Sequence, residues 1–207
     1  MKAAAISLLC LLTGCASTFD SERPLADEYS LKTTIDRAEL ATTTPLSAPI
    51  QLMRIEAAPG YDTRSILVTQ PDGRLDVLAN ARWVGSIPSL LEVAVVDQLR
   101  AAGFDAHADS AALAAPYTLR MIVRRFDAEY TTAGDSDQAA QPTIRVDLDV
   151  SLIRRRDRLP MGTWRVSGAA LAAENRRVAI VSAFGSATRL ALEGLSGELS
   201  AVTALKQ

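Results

Sequence analysis

One histidine and two cysteines are all the imidazole and thiol in this 207-residue sequence. Those counts exclude most structural zinc sites, which draw four ligands from Cys and His, and they exclude a disulfide-built scaffold. Aromatics are few, with Phe 4, Trp 2 and Tyr 4, so the interior has to be aliphatic. Neither charge sign dominates. Lys+Arg 22 against Asp+Glu 24 leaves a net charge of −2, and the scattered basic residues argue against a protein that holds nucleic acid by neutralising phosphates. What is present is 48% apolar and 22% charged residues, the mix of a globular chain rather than a disordered one. The length suits one compact domain with a tail or leader.

The leader is visible at the start. Met1 and Lys2 give a short positive beginning, and residues 3–12 (AAAISLLCLL) are apolar or small without a charge, the layout of a secretory signal. This run is about half the roughly twenty residues that a membrane-spanning helix needs. Leu12-Thr13-Gly14-Cys15 then resembles the bacterial lipobox. That resemblance implies cleavage after Gly14 and a diacylglyceryl group on the Cys15 thioether, the alternative being an ordinary signal peptide with a chance cysteine. With Cys10 removed and Cys15 lipidated, the mature chain forms no disulfide. Two or three acyl chains at about 0.8 kcal/mol per buried methylene hold the protein on a membrane permanently. Ala16 stands where an Asp signals inner-membrane retention, which favours the outer membrane. Residues 1–14 are thus expected to be the signal peptide, 15–27 the lipidated cysteine and its tether, and 28–207 the folded domain. Twelve extended tether residues reach about 40 Å.

Within the domain, Tyr29-Ser30-Leu31 reads as a short first strand, residues 33–49 as a loop, and 50–57 (IQLMRIEA) as a strand turned by Pro59-Gly60. Residues 65–70 and 75–79 flank Pro71-Asp72-Gly73, which predicts a hairpin because Pro presets φ and Gly accepts a positive one. Over 86–102, Ile87, Leu90, Leu91, Ala94, Val95 and Leu99 recur at helical spacing. Ser86 is placed to cap the helix and Gly103 to end it. Residues 117–130 predict a long strand lying across the sheet. Ile144, Val146, Leu148, Val150 and Leu152 alternate with Arg145, Asp147, Asp149 and Ser151, which is the pattern of a strand with one wet face. Residues 159–162 (LPMG) read as a turn into a strand over 163–170, and the polar stretch 131–141 as a loop. From about 175 to 205, Val181, Thr188, Leu195 and Val202 fall seven apart with Phe184, Leu192 and Leu199 between them, which predicts a long helix. The fold class that follows is α+β, a two-layer sandwich of a mostly antiparallel sheet with both amphipathic helices on one face.

Catalytic signatures are hard to find. His107 sits in a polar run with no Gly-x-Ser-x-Gly elbow elsewhere, and it reads as a surface histidine. Asp147 and Asp149 share the wet face beside Arg145, which is more simply a solvated charge ladder than a carboxylate pair. No phosphate loop or dinucleotide fingerprint occurs, so neither enzyme activity nor a cofactor is expected. The densest charge cluster is Arg154, Arg155, Arg156 and Arg158. It is either a solvated hairpin tip or a docking point for an acidic partner or a lipid phosphate, with Arg124 and Arg125 as possible additions. Trp83 and Trp164 read as core aromatics, Trp83 alternatively closing the end of a groove.

Three short stretches carry a family resemblance: Tyr29-Ser30-Leu31, then Pro59-Gly60-Tyr61-Asp62 leading into SILVTQ, and Leu75 through Arg82-Trp83 into the leucine-rich helix. In these, and in its long C-terminal helix, the chain resembles the ABC-type transport auxiliary lipoproteins, the family that includes the paraquat-inducible protein C type. The resemblance marks Tyr61 and Trp83 as structural positions. It implies a periplasm-facing lipoprotein that docks an MCE-type lipid transport assembly at the outer membrane, with an MCE-domain protein as partner and self-association into a ring as an accompanying expectation. Two other readings stay open: a periplasmic carrier holding an acyl chain between helices and sheet, and a lipoprotein activator of a cell-envelope enzyme.

Overall fold

The structure, a computed structural model, describes residues 26–33, 48–111, 114–131 and 141–204. The signal peptide, Cys15, nearly all of the tether, and most of the two segments read as loops (33–49 and 131–141) lie outside the described residues.

The chain order is β1 (Asp27–Tyr29), β2 (Ile50–Leu52), β3 (Glu56–Ala57), β4 (Ser65–Thr69), β5 (Leu75–Trp83), α1 (Ile87–Ala101), β6 (Ala106–Ala108), β7 (Tyr117–Glu129), β8 (Thr143–Arg154), β9 (Leu159–Leu171) and α2 (Arg177–Ala204). All the strands join one 9-stranded sheet organised around β7. On one edge of β7 lie β8 and then β9, antiparallel and paired over nearly their whole length. On the other edge β2, β3 and β4 line up in succession, all parallel to β7. From there the sheet continues as two arms: β6 extends it beyond β2, while β5 and then β1 extend it beyond β4. The long pairings are antiparallel and the short ones mostly parallel.

The alternation in β8 plays out as the residue types demand. Ile144, Val146, Leu148, Val150 and Leu152 are all at most 1% exposed, and the residues between them face solvent. In β7 the alternation is broken by a bulge between Val123 and Arg125. Before it the inward residues are Leu119, Met121 and Val123, and after it Phe126 and Ala128. One extra residue switches the inward set from odd to even numbers. Phe126 therefore enters the core, and Arg125, Asp127 and Glu129 move to the opposite face, where Asp127 is nevertheless fully covered.

Both helices cover the apolar face. The oxygen of Ser86 accepts from the Ser89 amide at the start of α1, and Pro88 occupies its first turn. At its end Gly103, at φ +88, donates to the Arg100 carbonyl, and the Phe104 amide donates to the Leu99 carbonyl, a Schellman closure whose Leu99 and Phe104 side chains are both buried. α2 is long and apolar enough to cross a membrane by length and composition. Here it lies on β8 and β9. Gly168 makes that approach possible: a Cβ there would fall 1.9 Å from the carbonyl oxygen of Ala187. Thr188 and Ser196, buried in α2, donate their hydroxyls to the Phe184 and Leu192 carbonyls one turn back. Trp83, Phe126 and Phe184 meet between the layers with ring centroids 4.8 to 5.9 Å apart. Such contacts add about 0.5–1.5 kcal/mol per pair to the area they bury. Trp83 is thus a core residue, at 0% exposure, and Trp164 is partly buried against the same core.

Several boundaries differ from the sequence expectations. The first strand is Asp27–Tyr29 rather than 29–31, because its register is set by parallel pairing of Tyr29 with Trp83. The segment 50–57 is broken into β2 and β3, since the Ile55 amide turns away to donate to Glu92 of α1 at 3.0 Å. β5 runs on past residue 79 to Trp83, through Asn80 at φ 54. The turn expected at 159–162 lies at 155–158 instead. Pro160 belongs to β9, an edge strand on which a missing amide costs little. The Trp164 ring lies over Gly162, where a Cβ would meet it at 2.0 Å.

Candidate functional site

The arginine cluster lies where β8 turns into β9, and its four guanidiniums do four different things. Arg154 donates Nε and Nη2 to the carboxylate of Asp157 across the turn, the Nη2 bond measuring 2.7 Å. The Leu159 amide donates to the same carboxylate. Asp157 is pushed down to about 2, chiefly by the Arg154 bonds. Arg156, 76% exposed, touches Asp157 only at 3.6 Å. Arg155 turns the other way: its amide donates to the Pro116 carbonyl, and its Nη1 donates to Gln51 Oε1 at 2.9 Å. Gln51 in turn donates Nε2 to Asp109 at 2.7 Å. Arg158 closes the turn in the left-handed region, at φ 57, which costs a residue with a Cβ roughly 1–2 kcal/mol.

The cluster is therefore split between two sides of the hairpin. Arg154 and Arg156 border a recess of about 230 Å³ shared with Pro116 and Tyr117. Arg155 and Arg158 border a groove of about 1000 Å³. That groove also takes in Arg120 on β7, Met53 and Arg54 between β2 and β3, and Pro88 at the start of α1. Arg120 is tied to Glu56 at 3.0 Å. Arg54 and Arg158 have no ionic partner among the described residues. Arg54, Gln51 and Met53 were not singled out by the sequence, because only the parallel pairing of β2 with β7 brings them beside the hairpin tip.

Arg124 and Arg125 do not join this patch. They sit about 25 Å along β7 from the residue that pairs with Arg154, and both are engaged elsewhere. Arg124 and Arg165 both donate to Asp149, which holds its carboxyl below the ordinary range, Arg165 contributing most. The charge ladder read from the alternation of β8 is thus present. Arg125 belongs to a buried network that has no signature in the sequence beyond the failed alternation at Arg124-Arg125-Phe126. Its Nε and Nη2 grip Asp127 at 2.9 and 3.1 Å. Asp127 is 0% exposed and also accepts from Thr69 Oγ1 at 2.6 Å and from the Tyr61 hydroxyl at 3.3 Å. Tyr61 is pushed up to about 12, mostly by burial and then by the Asp127 charge. Glu129 links the same Arg125 to Arg145 and is held below the ordinary carboxylate range by those two cations. Tyr61 therefore pins the loop after Pro59-Gly60 onto the sheet.

His107 lies in β6, its Nε2 2.6 Å from Asp105 and its Nδ1 3.5 Å from Arg100, with the ring mostly covered. No serine, threonine or cysteine bonds to it among the described residues. Nor do these hold any group of three His, Cys, Asp or Glu side chains that could bind a metal ion. A third recess, about 470 Å³, opens between β1 and α2 near Lys32 and Val181.

The family model for the ABC-type transport auxiliary lipoprotein component matches residues 29–193. The chain belongs to this family. The match runs from the end of β1 into the second half of α2, so β2 to β9, the buried Asp127 network and the arginine hairpin of this auxiliary component all fall inside it. No protein with a curated description matches the sequence. Among solved structures, a Xanthomonas campestris protein is 22% identical with a TM-score of 0.73, over 87% of this chain and 98% of that one. An uncharacterised protein is 11% identical with a TM-score of 0.63, over 83% of this chain and 97% of its own. These likenesses show the fold. The family description makes this an auxiliary lipoprotein of a transport system.

Proposed function

We propose that the chain is a non-catalytic docking component of an MCE-type lipid transport assembly, held at the periplasmic face of the outer membrane by acyl groups on Cys15. The observation that carries this is the family match over 29–193, which takes in almost all of the folded part. Residues 28–207 then form the docking domain and 15–27 its tether. The partner is the periplasmic MCE-domain protein of the transporter, and several copies of the lipoprotein assemble around it. The contact is made by the β8–β9 tip, where Arg156 is exposed and held only loosely by Asp157. An exposed, weakly paired cation at a hairpin tip suits recognition of an acidic surface.

The test is co-purification of the full-length lipoprotein with the MCE-domain protein in nonionic detergent. Stable association, weakened by Arg156→Glu, is expected. Absence of association overturns the docking role, and association indifferent to Arg156→Glu overturns the hairpin contact. Intact-mass measurement of the membrane form should show an acylated Cys15, and a free thiol there overturns the anchor.

A further inference from the structure

The groove on the other side of the hairpin has a charge distribution that docking at the tip does not explain. Four arginines border it, Arg54, Arg120, Arg155 and Arg158, against Glu56, Asp62 and Asp109. Arg120 and Glu56 cancel at 3.0 Å. Arg155 meets only the neutral Gln51 oxygen, through one of its five donors. Gln51 passes the contact on to Asp109, so it orients Arg155 without neutralising it. Arg54 and Arg158 have no ionic partner among the described residues, and Arg158 faces this groove from a left-handed backbone that glycine or asparagine would adopt more easily. Three guanidiniums thus stand against Asp62 and Asp109, a surplus of one positive charge. Beside them are the apolar surfaces of Met53, 36% exposed, Ile153 and Pro88.

We propose that this groove binds a phosphodiester carrying one negative charge. Guanidinium forks match phosphate oxygens two at a time, a single surplus cation matches a monoanion better than a phosphate dianion, and the apolar wall accommodates the carbon on either side of the phosphate. A volume of about 1000 Å³ leaves room for a headgroup and its glycerol. The phosphodiester could come from a phospholipid or from its water-soluble deacylated form, and the ligand arms separate the two.

The experiment is calorimetric titration of the full-length protein in nonionic detergent with dihexanoyl phosphatidylglycerol, with glycerophosphoglycerol, and with a short polyglutamate. Arg158→Asn keeps a residue suited to the left-handed turn, so this variant stays folded, and Arg54→Gln changes an unpaired side chain. Each variant is expected to weaken phosphodiester binding about tenfold, the loss of one charge-assisted contact, while Arg156→Gln on the far side leaves it unchanged. Binding of both phosphodiesters supports recognition of the phosphate and its substituents alone, and binding of only the acylated one supports a lipid source. The proposal is overturned if neither binds at about 10 mM, if both arginine variants bind like the parent, or if only polyglutamate binds. Since Arg156 lies outside the groove, a failure of docking and a failure of phosphodiester binding are told apart.

Discussion

Removing either half of the Arg125–Asp127 pair should destabilise the protein, but by unequal amounts. Asp127 has no exposed surface, whereas the Arg125 side chain is 27% exposed and keeps Glu129 as a second partner at 3.0 Å. Arg125→Gln leaves an anion buried with only the Thr69 and Tyr61 hydroxyls for company. Stripping one partner from a buried pair costs about 3–5 kcal/mol, and this variant should fall in that range. Asp127→Asn leaves a cation that can reach both water and Glu129, so about 2–3 kcal/mol is expected. For a domain of this size those losses lower the melting temperature by roughly 6–20 °C for Arg125→Gln and somewhat less for Asp127→Asn. The double variant should recover part of the loss, because no uncompensated charge then remains inside. Urea denaturation of the four proteins, with m-values checked for constancy, measures the cycle. A larger loss for Asp127→Asn than for Arg125→Gln refutes the reasoning, as does a loss under about 1 kcal/mol for Arg125→Gln.

Three further outcomes follow from other contacts. Gly168→Ala places a methyl against the Ala187 carbonyl and should cost about 2–3 kcal/mol by forcing α2 off the sheet, read by denaturation; a change within about 0.5 kcal/mol contradicts that packing. Tyr61→Phe removes one bond of 3.3 Å to Asp127 and should cost about 0.5–1.5 kcal/mol, well below Arg125→Gln, with parity between the two counting against the hierarchy drawn for the network. Asp157, held down to about 2, is depressed in the folded state, so its contribution is complete above the ordinary carboxylate range near 4 and is lost as the pH falls toward 2. A carboxyl-carbon NMR titration should find its midpoint near 2 and see Arg154→Gln return it toward about 3.9, whereas a midpoint near 4 in the parent removes the bidentate contact.

The parts of the fold legible from the sequence are those in which one physical signal acts alone. Alternation in β8, helical spacing with both caps in α1, and the heptad-like stripe of α2 each report burial on one face, and each element is present. Legibility fails where a distant partner decides. Ile55 looks like part of a strand until Glu92 of α1 takes its amide. Pro160 and Gly162 look like a turn until Asp157 closes one earlier by accepting from Arg154 and Leu159. The bulge in β7 is the costliest case. Two adjacent arginines before Phe126 are the only local trace of it, and without it neither the inward Phe126 nor the buried Asp127 can be placed. Of the candidate site, the four arginines of the hairpin could be named in advance. Their separation into two facing sides could not, since it depends on which of them Gln51 and Asp157 take up.

That separation bears on what the wet face can bind. Most arginines on the exposed side of the sheet answer a carboxylate: Arg124 and Arg165 share Asp149, Arg125 and Arg145 share Glu129, and Arg120 holds Glu56. Cations engaged in this way are less available to an incoming anion, and the pairs are worth little to stability individually. The effect is to confine attraction to the places where pairing is weak or missing. Among the described residues of this face those places are the hairpin tip at Arg156 and the groove with Arg54, Arg155 and Arg158. On the two contacts proposed above, one hairpin would tell two ligands apart, because its two sides present their arginines against different neighbours, Pro116 and Tyr117 on one and Met53 and Pro88 on the other.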